Sequence, residues 1–289
     1  MAATQMPAEL GQAVAPLVTR PLSPALGLEI LGVDLSQPVT PALAAQLEAA
    51  WHQGLVILLR RQSLSEDHQV RFAECFGPPA KTLNVHNTGR HPAIMLISNI
   101  REDGKPIGAL PDGEMQFHTD QCYIEKPAMA SMLYAIEVPS AGGNTLFANA
   151  YRAYETLPAG IKRRIEGRKA LNAYDYANAS VKRGTRLGEG VPHHSHPVVR
   201  THPATGRKAL YVNRLMTLSI EGLPEAESEN LLNFLFEHQE QPRFVYEHVW
   251  RVGDIVMWDN RCTLHARTDF SAAERRLMRR VAILGEKPV

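Results

Sequence analysis

The sequence predicts an α+β fold whose core is a barrel-like or jelly-roll sandwich flanked by helices. Three observations predict it. Short apolar or alternating runs, too brief for typical helices, recur along the chain. Gly, Pro, Asn and Asp punctuate them at close intervals, as in sandwiches and barrels. Stretches with helical periodicity gather toward the two ends of the strand-rich region, where each can cover a sheet.

Taken in order, residues 1–22 carry Pro7, Pro16 and Pro21 without periodicity and are expected to be a loose lead-in to a single domain over 23–289. Leu28–Leu35 reads as short strands broken at Gly32. A helix starts after Thr40 as N-cap, with Pro41 in its first turn and Leu43, Leu47 and Trp51 on one face. Gly54–Arg60 is almost continuously apolar, the pattern of a strand buried on both faces. Ser63 and Glu66 have capping-box spacing for a second helix, which Gly77-Pro78-Pro79 ends. The polar stretch from Ala80 to Gly113 holds Thr82, Asn84 and His86 ahead of a strand at Ala93–Ser98, and such loops are where binding groups sit.

Strands are then expected at Pro127–Pro139 and Thr145–Asn149, with a helical segment over 151–166 interrupted at Pro158. From Asn172 to about His196 the signals are loop-like, a length typical of an active-site lid. The triplet of histidines within His193–His196 is read as part of that lid, because neighbouring side chains diverge and no acid lies near. Strands at 197–200 and 208–213, a helix at 224–239 carrying Leu231, Leu232, Leu235 and Phe236, and closing strands at 243–251, 254–264 and 276–284 complete the chain.

Composition narrows function. Lys and Arg number 31 against 30 Asp and Glu, so a net charge of +1 offers no field for nucleic acid or an anionic membrane, and attraction for an anion must be local. Cys75, Cys122 and Cys262 are widely spaced and odd in number, which argues against a disulfide framework. With no basic-then-apolar leader and no run near the ~18 apolar residues of a membrane span, a cytoplasmic protein is expected. Cys122, Cys262, Trp250 and Trp258 are read as buried packing residues.

The chemistry centres on Phe117-His118-Thr119-Asp120. In an extended run, His118 and Asp120 point the same way and can reach one ion. A histidine from a distant strand, with His265 as candidate, would complete a 2-His-1-carboxylate triad that leaves open positions on Fe(II).

In these residues the sequence resembles the taurine dioxygenase / 2,4-dichlorophenoxyacetate dioxygenase family of Fe(II)- and 2-oxoglutarate-dependent oxygenases. The resemblance rests on Phe117–Asp120, Gly142-Gly143-Asn144-Thr145, Trp258-Asp259-Asn260-Arg261 through His265, and Arg276–Arg280, in that order. It implies a double-stranded β-helix form of the jelly roll, with His118, Asp120 and His265 as metal ligands. It also implies 2-oxoglutarate and O2 as cosubstrates, succinate and CO2 as coproducts, and hydroxylation of a small anion such as a sulfonate, aryloxyalkanoate or carboxylate.

By the same resemblance Arg276 and Thr145 bind the far carboxylate of 2-oxoglutarate, since a guanidinium matches a carboxylate with two parallel hydrogen bonds. Arg280, four residues further and on the same face of a strand, would hold the substrate anion. Arg275 and Arg279 alternate outward and are expected to be solvated. Thr82, Asn84, His86, Gln121, Tyr176 and Met216 complete the candidate substrate pocket, and Thr82 stands where taurine-specific members carry a histidine, which argues against taurine. The family implies a dimer or tetramer. The alternative is a redox-inert, cupin-like isomerase or hydrolase on the same scaffold.

Overall fold

A computed structural model describes residues 15–81, 91–110, 113–175 and 187–289. The chain begins with Val18–Pro21 (β1), Leu28–Leu31 (β2), helix Pro41–Gly54 (α1), Val56–Leu59 (β3), helix Glu66–Glu74 (α2), Met95–Ser98 (β4), the short pair Arg101–Glu102 (β5) and Lys105–Pro106 (β6), and Met115–His118 (β7). It continues through Ala130–Glu137 (β8), Thr145–Asn149 (β9), helices Ala150–Glu155 (α3) and Ala159–Ile165 (α4), Lys169–Ala173 (β10), His193–Pro197 (β11), Val199–Thr201 (β12), Lys208–Leu210 (β13) and Thr217–Ile220 (β14). Helix Glu225–Gln239 (α5), Val245–His248 (β15), Ile255–Asp259 (β16), Thr263–Arg267 (β17) and Leu277–Ile283 (β18) close it.

Seven strands form a large sheet in the order β1-β2-β3-β16-β8-β18-β4, and four form a small one in the order β15-β9-β17-β7. Within these two sheets only β2 with β3 is parallel. Side-chain alternation explains how the large sheet is used. Ile57, Leu59, Met132, Tyr134, Ile255 and Met257 pack with Leu47 and Trp51 of α1 and Val70 and Phe72 of α2. Their neighbours Val56, Leu58, Leu133, Ala135, Val256 and Trp258 pack with Phe147 and Leu264 of the small sheet. The central strands are therefore buried on both faces, which is why Val56–Leu59 reads as uninterrupted apolar sequence.

Thr40 caps α1 as expected, its hydroxyl accepting from the Leu43 amide at 3.2 Å. The cap of α2 is Ser65 rather than Ser63. Its hydroxyl accepts from the His68 amide and the His68 ring returns the bond, while Glu66 accepts from the His91 amide instead. The expected loose lead-in is ordered at its end: β1 pairs with β2, and Pro21 is tolerated because β1 is a sheet edge. The ends of the expected irregular excursion are likewise strands, since β10 and β11 pair from Lys169–Pro197 to Ala173–His193. The single strand expected over 254–264 is two, β16 in the large sheet and β17 in the small one, with the chain crossing between them at 260–262. None of the described helices is long and apolar enough to cross a membrane.

Candidate active site

That crossing builds the site. β17 lies between β9 and β7, and its His265 is the direct cross-strand partner of His118, the last residue of β7. The two rings lie 4.0 Å apart. The chain turns after His118, so Asp120 stands in a turn rather than in a continuing strand, yet it reaches the same point. Its Oδ1 is 4.0 Å from Nε2 of each histidine. Atoms that each sit about 2.0–2.2 Å from an ion can be up to about 4.4 Å apart, so the three groups fit one metal.

The ring tautomer of His118 is set by its surroundings. Nδ1–H donates to the Gln116 carbonyl at 2.9 Å, leaving the Nε2 lone pair to face the cluster. Burial pushes the His118 and His265 imidazoles below the ordinary histidine range, His265 furthest, so both are neutral and able to ligate. Burial alone would raise the Asp120 carboxyl, but the Arg280 guanidinium, helped by the Ser131 hydroxyl, outweighs it and holds the group well below the usual carboxylate range. Arg280 Nη2 lies 2.9 Å from Asp120 Oδ2.

The cluster lines a cavity of about 190 Å³ between the sheets. Met95, Ile97, Ala109, Leu110, Met115, Leu133 and Trp258 give it an apolar wall, and Thr145, Arg267, Arg276 and Arg280 give it polar points. A near-neutral protein thus concentrates positive charge locally, as an anion site requires. Arg276 is 2% exposed, and its Nε and Nη1 find no hydrogen-bond partner. Burial, with help from neighbouring Arg267, pulls its pKa down to about 9. A guanidinium kept this dry is costly without an anion. Thr145 Oγ1 accepts from Trp250 Nε1 at 3.0 Å, so its own proton is free to be donated to an acceptor in the cavity.

Among the other sequence candidates, Arg280 lines the cavity, whereas Thr82, Asn84, His86 and Tyr176 lie outside the described residues. Met216 does not line the cavity: it packs with Cys122, Tyr211 and Leu215, its sulfur 3.4 Å from Cys122 Sγ. Gln121, expected to offer its backbone N–H to the substrate, is also absent from the cavity lining; its φ is 58° and its carbonyl accepts from the Ile124 amide. Arg279 is buried rather than solvated, stacked over Tyr134 and donating to the Leu64 carbonyl, because the outer face of β18 is covered by α2 and the segment before it. Arg275 is exposed and pairs with Glu137. Cys122 and Cys262 are buried as expected, and so are the two tryptophans, although Trp258 also lines the cavity and Trp250 orients Thr145.

Sequence reasoning missed Tyr174, at the cavity wall 4.7 Å from the Tyr123 ring, and the apolar residues of β4 and the segment after it. It also missed Ser131, a small polar residue in the largely apolar run of β8, which donates to Asp120 Oδ2.

A neutral His pair and an ionised carboxylate converging on a cavity lined by arginines define a candidate metal site beside an anion site. The taurine catabolism dioxygenase TauD, TfdA family model matches residues 19–282. The chain is 32% identical over 295 residues to the alpha-ketoglutarate-dependent 2,4-dichlorophenoxyacetate dioxygenase of Cupriavidus pinatubonensis, covering 94% of this chain and 99% of that one. Among solved structures, a taurine dioxygenase from Burkholderia xenovorans superposes with a TM-score of 0.81 at 32% identity, covering 95% of this chain and 91% of that one. AAD-2 in complex with Mn(II) and N-oxalylglycine gives a TM-score of 0.80 at 30% identity, covering 94% and 98%. The chain belongs to the TauD/TfdA family and is an α-ketoglutarate-dependent dioxygenase, an oxidoreductase.

Proposed function

We propose that the chain hydroxylates a small anionic molecule with an apolar body, using Fe(II), O2 and 2-oxoglutarate, on a double-stranded β-helix (jelly-roll) core formed by the two facing sheets. The observation that carries this reading is Arg276, a buried cation with unpaired donors at the same cavity as the His118, Asp120 and His265 cluster. An α-keto acid with a second carboxylate answers both features. Its keto-acid end suits a metal with open positions, and its far carboxylate suits the guanidinium and the Thr145 hydroxyl. N-oxalylglycine, the partner of Mn(II) in AAD-2, has the same two-ended form.

In this reading His118, Asp120 and His265 hold the iron, which when bound supplies the oxidative decarboxylation of 2-oxoglutarate to succinate and CO2 and the attack on a C–H bond. The chain contributes position and dryness. Arg276 and Thr145 fix the cosubstrate's length along the cavity, and the sheet-to-sheet packing of Phe147, Trp258 and Leu264 keeps water from the buried face. Arg280, with its Nε unpaired and Nη2 on Asp120, offers a cation to the substrate within reach of the cluster.

The apolar wall of Met95, Ile97, Leu110 and Met115 supports an aryloxyalkanoate over a compact, fully polar sulfonate such as taurine. The segment from 172 to 196, whose ends belong to the paired strands β10 and β11 and whose residues 176–186 lie outside the described residues, is the candidate lid, and 23–289 a single domain. A cytoplasmic homo-oligomer, dimer or tetramer, completes the proposal. The test is succinate formation from 2-oxoglutarate, dependent on Fe(II) and stimulated by a panel of aryloxyalkanoates, sulfonates and carboxylates. Aryloxyalkanoates are expected to stimulate most, and absence of succinate with every member, with or without ascorbate, overturns the reading.

A further inference from the structure

Ser131 is the second residue of β8, opposite Trp258 of β16 and Ala282 of β18, and is completely buried. A hydroxyl in that position needs partners, and it has three. Its Oγ is 2.5 Å from Asp120 Oδ2, 3.2 Å from Asn260 Nδ2 and 3.4 Å from Arg280 Nη2. Asn260 is held in turn, since Trp258 Nε1 lies 2.9 Å from its Oδ1.

The ends of this chain fix the direction of every bond in it. An indole N–H only donates and an ionised carboxylate only accepts. Trp258 must therefore donate to the Asn260 carbonyl, which turns the Asn260 amide hydrogens toward Ser131. Ser131, receiving from Asn260 and from Arg280, has its single proton left for Asp120 Oδ2. The 2.5 Å separation falls in the range of an O–H···O⁻ bond. The outer oxygen of Asp120 is consequently taken twice, by a hydroxyl and by a guanidinium, while Oδ1 faces the two histidines at 4.0 Å.

We infer that Ser131 and Asn260 are positioning residues that hold Asp120 as a one-oxygen ligand through Oδ1, keeping the remaining coordination positions open for the cosubstrate. The inference rests on the proposed metal role of the cluster. Without the Ser131 hydroxyl only Arg280 restrains Oδ2, and a carboxylate so loosened presents Oδ1 to the metal less firmly and can turn its second oxygen toward a position that 2-oxoglutarate needs. Trp258 serves both sides of the site, because its ring also packs 4.8 Å from that of His265. The Trp-Asp-Asn-Arg segment thus acts on the metal centre through its Asn, although no residue of that turn is itself in the cluster.

The experiment compares the full-length wild type with Ser131→Ala and Ser131→Cys, the latter close in shape but a weak donor. Anaerobic Co(II) titration followed by its visible absorption reads metal affinity, and the charge-transfer band of the Fe(II) protein reads 2-oxoglutarate affinity. The Co(II) dissociation constant is expected to rise about 10- to 100-fold in Ser131→Ala and by an intermediate factor in Ser131→Cys. The 2-oxoglutarate dissociation constant should rise in the same order. If wild type binds Co(II) and a folded variant of either kind binds both ligands within twofold of it, Ser131 is merely structural and the inference falls. If wild type binds no Co(II), the metal reading itself fails and takes the inference with it. Loss of melting temperature without a change in either dissociation constant also counts as refutation, since a packing role predicts that pattern.

Discussion

Among the described residues two His-His-Asp clusters occur, and they differ in how their carboxylates are engaged. Asp120 keeps Oδ1 free between His118 and His265 at the wall of a cavity. Asp259 has no oxygen to spare. Arg261 grips it with Nε on Oδ1 and Nη2 on Oδ2, both at 2.8 Å, and His202 Nε2 bonds Oδ2 at 2.9 Å. His52, the third member, faces Arg261 Nη2 at 3.3 Å, so a guanidinium occupies the place a cation would need. Burial alone would raise the Asp259 carboxyl, but Arg261 holds it well below the usual range. Composition and proximity are alike in the two clusters. What separates them is whether the charge is already answered from within the chain.

The arginines repeat the contrast. Arg261 has its charge answered inside the protein by Asp259, and its fork also fixes the corner where the chain passes from β16 to β17. Arg276 is buried with donors unspent. One is a structural tie and the other a cost that a ligand relieves.

The largest effect that would break this comparison comes from the histidines. His265→Ala should abolish stoichiometric iron binding and lower succinate production by about 10³-fold or more, a loss of several kcal/mol of metal-derived stabilisation. His202→Ala should leave iron stoichiometry at the wild-type value, with its effect confined to thermal stability. Next comes Arg276→Met. Two charge-assisted hydrogen bonds are worth enough that KM for 2-oxoglutarate should rise about 100-fold. The melting temperature of the metal-free protein should hold or increase, because a buried unpaired charge is gone.

Arg261→Met should do the reverse, with little effect on turnover. It strands the buried Asp259 carboxylate and is expected to cost about 3–5 kcal/mol in denaturant unfolding while KM stays within a few-fold. Arg276→Met and Arg261→Met are thus a matched pair, and finding the same sign of stability change in both would erase the distinction.

Much of this was legible in sequence because it depends on local pattern. The cap at Thr40, the doubly buried strand β3 and the apolar face of α5 follow from spacing alone. His118 and Asp120 were visible as neighbours, and His265 as a candidate, though only the pairing of β7 with β17 brings it to them. The rest depended on which strands become neighbours. Ser131 looks like a minor interruption until β16 and β18 flank it, and Arg279 looks solvated until α2 covers its face. The polar triplet Asp259-Asn260-Arg261 interrupts the apolar run at the corner, but only the pairing of β16 in the large sheet and β17 in the small one shows that the chain changes sheets there. Asp259 reads as part of a family motif, while its partner His202 comes from the turn between β12 and β13, far away in the chain.

The central claim is that only the cavity cluster holds a metal and that the cosubstrate meets it there. Anaerobic titration with Fe(II) followed by 2-oxoglutarate tests it most directly, comparing wild type, His265→Ala and His202→Ala. One iron per chain and a visible charge-transfer band are predicted for wild type and His202→Ala, and neither for His265→Ala. Two irons per chain in wild type, or a band that survives in His265→Ala, would contradict it.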